Sequence, residues 1–193
     1  MTYKFQRVGK GPRWADASGL YYRRYNGYVV NVPGSGVTPS PNPASLSASA
    51  YSGEAGINTE IDMSITQSQT VYVWRGYFKP DQDSDSWQFR TRSNDGSWLW
   101  VDVDAEQSNI NLVTNDADVK NGGIHTDETV ASSNLALSSS LYYAITLVAG
   151  NDPGGGSIRL QFRRDGGSWS SDGSGFFYHD GRYGDGFGVF EGG

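Results

Sequence analysis

Cysteine is absent from this chain, lysine is scarce (four against eleven arginines), and only two histidines occur. The missing cysteines exclude a disulfide-stapled scaffold, a thiol nucleophile and thiolate metal sites, and they fit production in a reducing cytoplasm. A helix crossing a bilayer needs about 18 consecutive apolar residues. No such run exists, so membrane insertion is not expected. The opening MTYKFQRVGKGPRW lacks the apolar core of an export signal. A surplus of positive charge is missing too: the net charge is −6 and the pI about 4.8, opposite to what a phosphate backbone requires, so nucleic acid is not an expected partner.

Catalytic signatures are equally scarce. There is no HExxH, no phosphate-cradling loop and no G-x-S-x-G, the nearest approach being Gly166-Gly167-Ser168. His125 and His179 are not spaced as a metal pair. A pair of glycosidase carboxylates is not singled out among the 21 acids. The expectation is a protein that binds or assembles and is not an enzyme.

What the chain does have is 26 glycines, abundant serine and 13% aromatics. Segments alternate with period two and none carries helical periodicity with caps, so the chain reads as all-β. Residues 21–32 are strand-like until Pro33, and 34–52 are loop-like, with prolines at 39, 41 and 43. Ile61, Met63 and Ile65 oppose Glu60, Asp62 and Ser64; Tyr72, Trp74 and Phe78 share a face before Pro80. Trp87 and Phe89 follow, then Leu99, Val101 and Val103 on an aliphatic face opposite Trp98 and Trp100. Further strands are marked by Ile110 and Leu112, by Leu135 and Leu137, by Tyr143, Ile145 and Leu147, and by Ile158, Leu160 and Phe162. Short strands at this spacing predict a β-sandwich, jelly-roll-like, of two packed antiparallel sheets. The expected organisation is a basic N-terminal arm (1–16), a sandwich domain (17–180) and a Gly-rich tail (181–193). Arm, long loop and tail are the expected assembly contacts, and the arginine bias fits a subunit that packs against neighbours.

The most informative stretch, 71–103, reads as three strands and two sharp turns, the second at Asn94-Asp95-Gly96. Asn-Asp-Gly between alternating strands is a common hairpin signal, so a plain turn is one reading. A tip that seats a hard cation and a sugar is the other. Asp172 and Asp180, in SSDGSGFFYHD, are candidates to complete such a site from a second loop, or are simply turn residues. Trp98, nearest the turn, is a candidate stacking platform for a pyranose, against inter-sheet packing for it and Trp100. Residues 81–86, DQDSDS, lack the glycine and distal glutamate of an EF-hand and read as a solvated turn.

YVWRGYFKP followed by WQFRTRSNDGSWLWVD, then NGGIH, then LYYAITLVAGNDPGGGSIRLQF, with Gly19-Leu20 and Tyr25-Asn26-Gly27-Tyr28 upstream, resembles the GLEYA and protective-antigen-type adhesin domains over roughly residues 17–180. The resemblance implies a β-sandwich with a carbohydrate pocket at one end. In its calcium-dependent members two consecutive carboxylates joined by a cis peptide hold Ca²⁺, which orients sugar hydroxyls. The matching positions are Asn94 and Asp95, with the first carboxylate replaced by an amide. Ca²⁺ accepts amide oxygen, but one charge is lost. Cysteine-poor relatives resemble proteins of marine phage particles. The resulting expectation is a phage virion protein made in the host cytoplasm. It would sit on tail or capsid surface in many copies beside neighbouring virion proteins and bind a host-surface glycan, with Ca²⁺ as cofactor. A purely structural decoration or cement subunit, and a carbohydrate-binding module of an enzyme system, are the alternatives.

Overall fold

The structure is a computed structural model. It describes residues 17–27, 51–101, 117–151 and 154–179. The N-terminal arm, most of the Pro/Ser loop, the strand expected at Ile110 and Leu112, Asp180 and the Gly-rich tail lie outside the described residues. The strands are β1 (Ala17–Ser18), β2 (Leu20–Asn26), β3 (Tyr51–Asn58), β4 (Asp62–Ile65), β5 (Thr70–Phe78), β6 (Ser84–Val101), β7 (Val119–Ala131), β8 (Leu135–Leu137), β9 (Tyr143–Asn151), β10 (Gly156–Arg164) and β11 (Phe177–His179). Every pairing is antiparallel, and one hydrogen-bonded network curls over itself into two packed layers. The fold is all-β.

β6 joins the layers. Its residues 87–94 pair with β10, whereas residues 96–101 pair with β9, so the strand changes partner between Asn94 and Gly96. β7 follows it on the other side and shifts register at the same place, between Ser93 and Asp95. One layer is thus β3–β2–β5–β9 with the second half of β6; the other is β4–β10 with the first half.

The alternation read from the sequence fills the space between them. Trp74, Phe78, Leu99, Ile145 and Leu147 from one layer meet Phe89, Ile158, Leu160 and Phe162 from the other, all at 3% exposure or less. Phe78 is the hub, its ring 4.9 Å from Phe89, 5.2 Å from Trp87 and 5.2 Å from Phe162. A second cluster lies on the opposite face of the β2–β5–β9 layer, where Val71, Val73, Val148, Trp98 and Trp100 pack with Tyr21 and Tyr25. The same face holds Arg75, which burial pulls down to about 9 while leaving it charged at neutral pH.

One expectation is corrected. Asn94-Asp95-Gly96 does not reverse the chain but lies inside the 18-residue β6. The turn-prone residues serve a bulge and a change of layer instead, because each flank finds a different antiparallel partner. The reversal that does occur precedes β6, at 79–83. Its acids have structural work there: Asp83 accepts from the Ser139 amide at 2.6 Å and from the Ser139 and Ser138 hydroxyls, and these bonds hold its carboxyl below the usual carboxylate range. Asp81 pairs with Arg164.

Candidate functional site

Where β6 changes layer, the interior turns from hydrocarbon to hydroxyl and amide. The Ser97 hydroxyl lies 3.0 Å from both the Thr91 and the Ser93 hydroxyls, donating to one and accepting from the other, and the Asn121 amide donates to the Thr91 carbonyl at 3.0 Å. All four residues are fully buried. Buried polar groups are tolerated when bonded to one another, and this knot fixes the bend.

The outer side of the bend is an oxygen-rich corner. The Asn94–Asp95 peptide is cis, at the position for which the adhesin resemblance implies one. The β6–β9 ladder ends at the Gly96–Gly150 pair, one residue from Asp95 along one strand and one from Asn151 along the other. Asn94 itself pairs with Ser157 on β10. Gly156 closes the corner: a methyl group placed there would lie 2.6 Å from the Asn151 Oδ1 and 2.6 Å from the Asn94 carbonyl oxygen. Only the missing side chain lets those oxygens approach the β10 backbone. The Asn151 amide is fixed by donating to the Gln67 carbonyl at 3.0 Å and the Gly154 carbonyl at 2.9 Å, which leaves its Oδ1 directed into the corner.

Two of these oxygens are orphans. Among the described residues, neither Asn94 Oδ1 nor Asn151 Oδ1 has a hydrogen-bond partner, although both atoms are buried. An unsatisfied buried carbonyl costs on the order of 1–3 kcal/mol, which a ligand with positive charge would relieve. The donor set is one carboxylate (Asp95) with amide and main-chain oxygens, the chemistry of a hard cation site and not of a thiolate or imidazole metal. Among the described residues no three Asp, Glu, His or Cys side chains converge as a metal cluster. The corner therefore offers oxygen geometry with a low charge count.

The sequence-derived site is thus partly brought together and partly dispersed. Asn94 and Asp95 share the corner. Asp172 does not join them: Ser170, two residues before it, bridges Phe162, whereas Asn94 pairs with Ser157. Asp172 itself bridges Glu60, which leads into β4 on the flank of β10 away from β6. Asp172 is exposed and accepts from the Ser174 amide at 2.9 Å, which holds its carboxyl below the usual range. It is a turn residue, and its assignment as a metal ligand is corrected. Trp98 is corrected as well. At 1% exposure it packs in the second cluster and presents no face to a sugar, because it alternates with Leu99 toward the far side of the layer. His179 is buried, with Nδ1 3.1 Å from the Gly19 carbonyl, and acts in packing β11. Asn151 was missed by sequence reasoning. Its only local signal is the Gly-Asn-Asp-Pro turn that begins there, and nothing in that turn says it faces Asp95.

Residues 70–164, from the start of β5 to the end of β10, match the GLEYA domain. No curated protein sequence matches the chain. Among solved structures, the epithelial adhesin 9 A domain of Candida glabrata, in complex with Galβ1-3GlcNAc, superposes with a TM-score of 0.61 at 16% identity, covering 91% of this chain and 95% of that one. The epithelial adhesin 6 A domain of the same organism, in complex with the same sugar, gives 0.60 at 15% identity over 84% and 87%. A PA14 sugar-binding domain from an RTX adhesin gives 0.59 at 18% identity over 84% and 99%. The chain has the fold of these domains.

Proposed function

We propose that this chain is a non-catalytic adhesin domain which binds a glycan through a Ca²⁺ held at the corner of Asn94, Asp95 and Asn151. The observation that carries this reading is the pair of orphaned amide oxygens, Asn94 Oδ1 and Asn151 Oδ1, at the corner where the Asn94–Asp95 step meets Gly156. The fold shared with sugar-binding adhesin domains supports it. Bound there, Ca²⁺ would supply open coordination positions for vicinal sugar hydroxyls. The residues of the chain would hold the cation, and Gly156 lets their oxygens draw together.

Calcium that binds only the folded state must raise the melting midpoint. Saturation at about 100 times the dissociation constant contributes roughly 2.7 kcal/mol. For a chain of this length that is a rise of about 5–10 °C over a chelator-treated sample. The companion measurement is a glycan array with calcium or with chelator. A midpoint that does not move at millimolar calcium removes the ion from the proposal; array binding that survives chelation removes its role in recognition.

The setting proposed for the domain is the surface of a phage-like particle, in many copies. Composition supports it: no cysteine, and arginine in excess over lysine. Mass spectrometry of purified particles checks it, and absence of the chain from them ends it. A second reading, a structural decoration subunit with no ligand, is favoured by the 2% exposure of Asp95. It expects the same midpoint with and without chelator.

A further inference from the structure

We propose that the outward face shared by β6 and β10 is a second recognition surface, built for an anionic polysaccharide. Gln88, Arg90 and Arg92 of β6 stand opposite Arg163, Gln161 and Arg159 of β10. Their neighbours Phe89, Thr91, Leu160 and Phe162 are buried, so alternation turns these six side chains outward. Four arginines therefore share one patch of a chain whose net charge is −6, and of these Arg159 is paired with Asp62 at 2.7 Å.

The two central guanidinium groups are positioned by neutral partners. Arg90 donates from Nε to the Gln161 Oε1 at 2.8 Å. Arg163 donates from Nε and Nη2 to the Gln88 Oε1 at 2.9 and 2.7 Å. Both lie against the same indole, their Cζ atoms 4.3 and 4.5 Å from the Trp169 ring centroid. Among the described residues neither is paired with a carboxylate. Like charges so close repel; burial first, and then Arg163 and Arg159, hold the Arg90 guanidinium below its usual range. Glutamate at 88 or 161 would relieve that repulsion at almost no change of shape, and the chain is not short of acids, with 21 of them. Glutamine in both places keeps the arginines oriented and their charge available. Remaining N–H donors in a fixed planar fork suit sulfate or carboxylate groups.

A polysaccharide fits this face better than an acidic peptide. Residues 90–92 of β6 are paired on both sides, with β10 and with β7, so no free edge awaits an added strand. The half-buried Trp169 ring, with both guanidinium groups against it, holds their planes in place for repeated sulfate or carboxylate groups. The patch runs on through an open cleft of about 100 Å³ between Asp62, Arg92, Ser157, Ile158 and Arg159. This surface contains none of the calcium-corner donors and stands whether or not that corner holds an ion.

The test is run with chelator present, which separates it from the calcium proposal. The whole chain is passed over immobilised dextran sulfate, polygalacturonate, neutral dextran and poly-glutamate. Retention is expected on at least one of the two anionic polysaccharides, weakening as salt rises, with none on neutral dextran. The near-isosteric pair Gln88→Glu/Gln161→Glu places a carboxylate on each central guanidinium. It should lower that affinity by about tenfold or more, as expected for lost charge-assisted hydrogen bonds, without lowering the melting midpoint. Arg90→Gln/Arg163→Gln should show the same loss. The proposal is overturned by no retention on either anionic polysaccharide, by undiminished retention of both variants, or by equal or tighter capture on poly-glutamate.

Discussion

A Gly156→Ala variant is expected to lose calcium-dependent glycan binding while remaining folded. The added methyl would stand 2.6 Å from the Asn94 carbonyl oxygen and from Asn151 Oδ1, and neither can retreat. The first is main chain within β6, and the second belongs to an amide fixed by two hydrogen bonds. Overpacking of this kind costs about 1–3 kcal/mol, which a core of this size tolerates. The corner, however, would have its oxygens displaced. Asp95→Ala removes the carboxylate, the one formal negative charge among the corner's donors, and should act in the same direction without overpacking. In both variants the calcium-induced rise in melting midpoint should vanish, and affinity for any array-positive glycan should fall by about a hundredfold, since the charge and number of oxygen ligands set Ca²⁺ affinity. Titration calorimetry with calcium alone, on protein shown to be folded by circular dichroism, is the check. Wild-type calcium affinity in both variants would place the cation elsewhere.

Phe78→Ala should produce the largest loss of stability, about 3–5 kcal/mol, or on the order of 10 °C in melting midpoint. Phe78 is fully buried and its ring meets five other aromatic rings, those of Trp87, Phe89, Phe162, Phe176 and Phe177. These come from β6, β10 and the β11 region, so one side chain ties β5 to both layers. Truncation removes its own transfer energy and leaves a void that stiff rings cannot collapse into. Phe78→Leu, which keeps most of the volume, should recover more than half of the loss. Denaturant melts with unchanged slope would assign the effect to the folded state. A loss below about 1 kcal/mol would show that the rings repack around the gap.

Much of the architecture was legible because burial in a sheet leaves a period-two trace. Ile158, Leu160 and Phe162 turn inward and Arg159, Gln161 and Arg163 outward, as their alternation requires. The contrast between Leu99 with Val101 and Trp98 with Trp100 correctly announced two different apolar environments. β3 and β7 were not anticipated as strands. Their segments, YSGEAGIN and VKNGGIHTDETVA, are glycine-rich and polar, and they gain their order from pairing with β2 and β6.

Strand content, all-β class and the inward and outward sides of most strands follow from the sequence alone, because each depends on residues a few positions apart. Tertiary structure decided that Asn94-Asp95-Gly96 passes straight on between layers, that Asn151 joins this corner and Asp172 does not, and that Trp98 is sealed away. Those outcomes depend on register between strands up to dozens of residues apart. Register is set by how the whole core packs, and no local pattern encodes it.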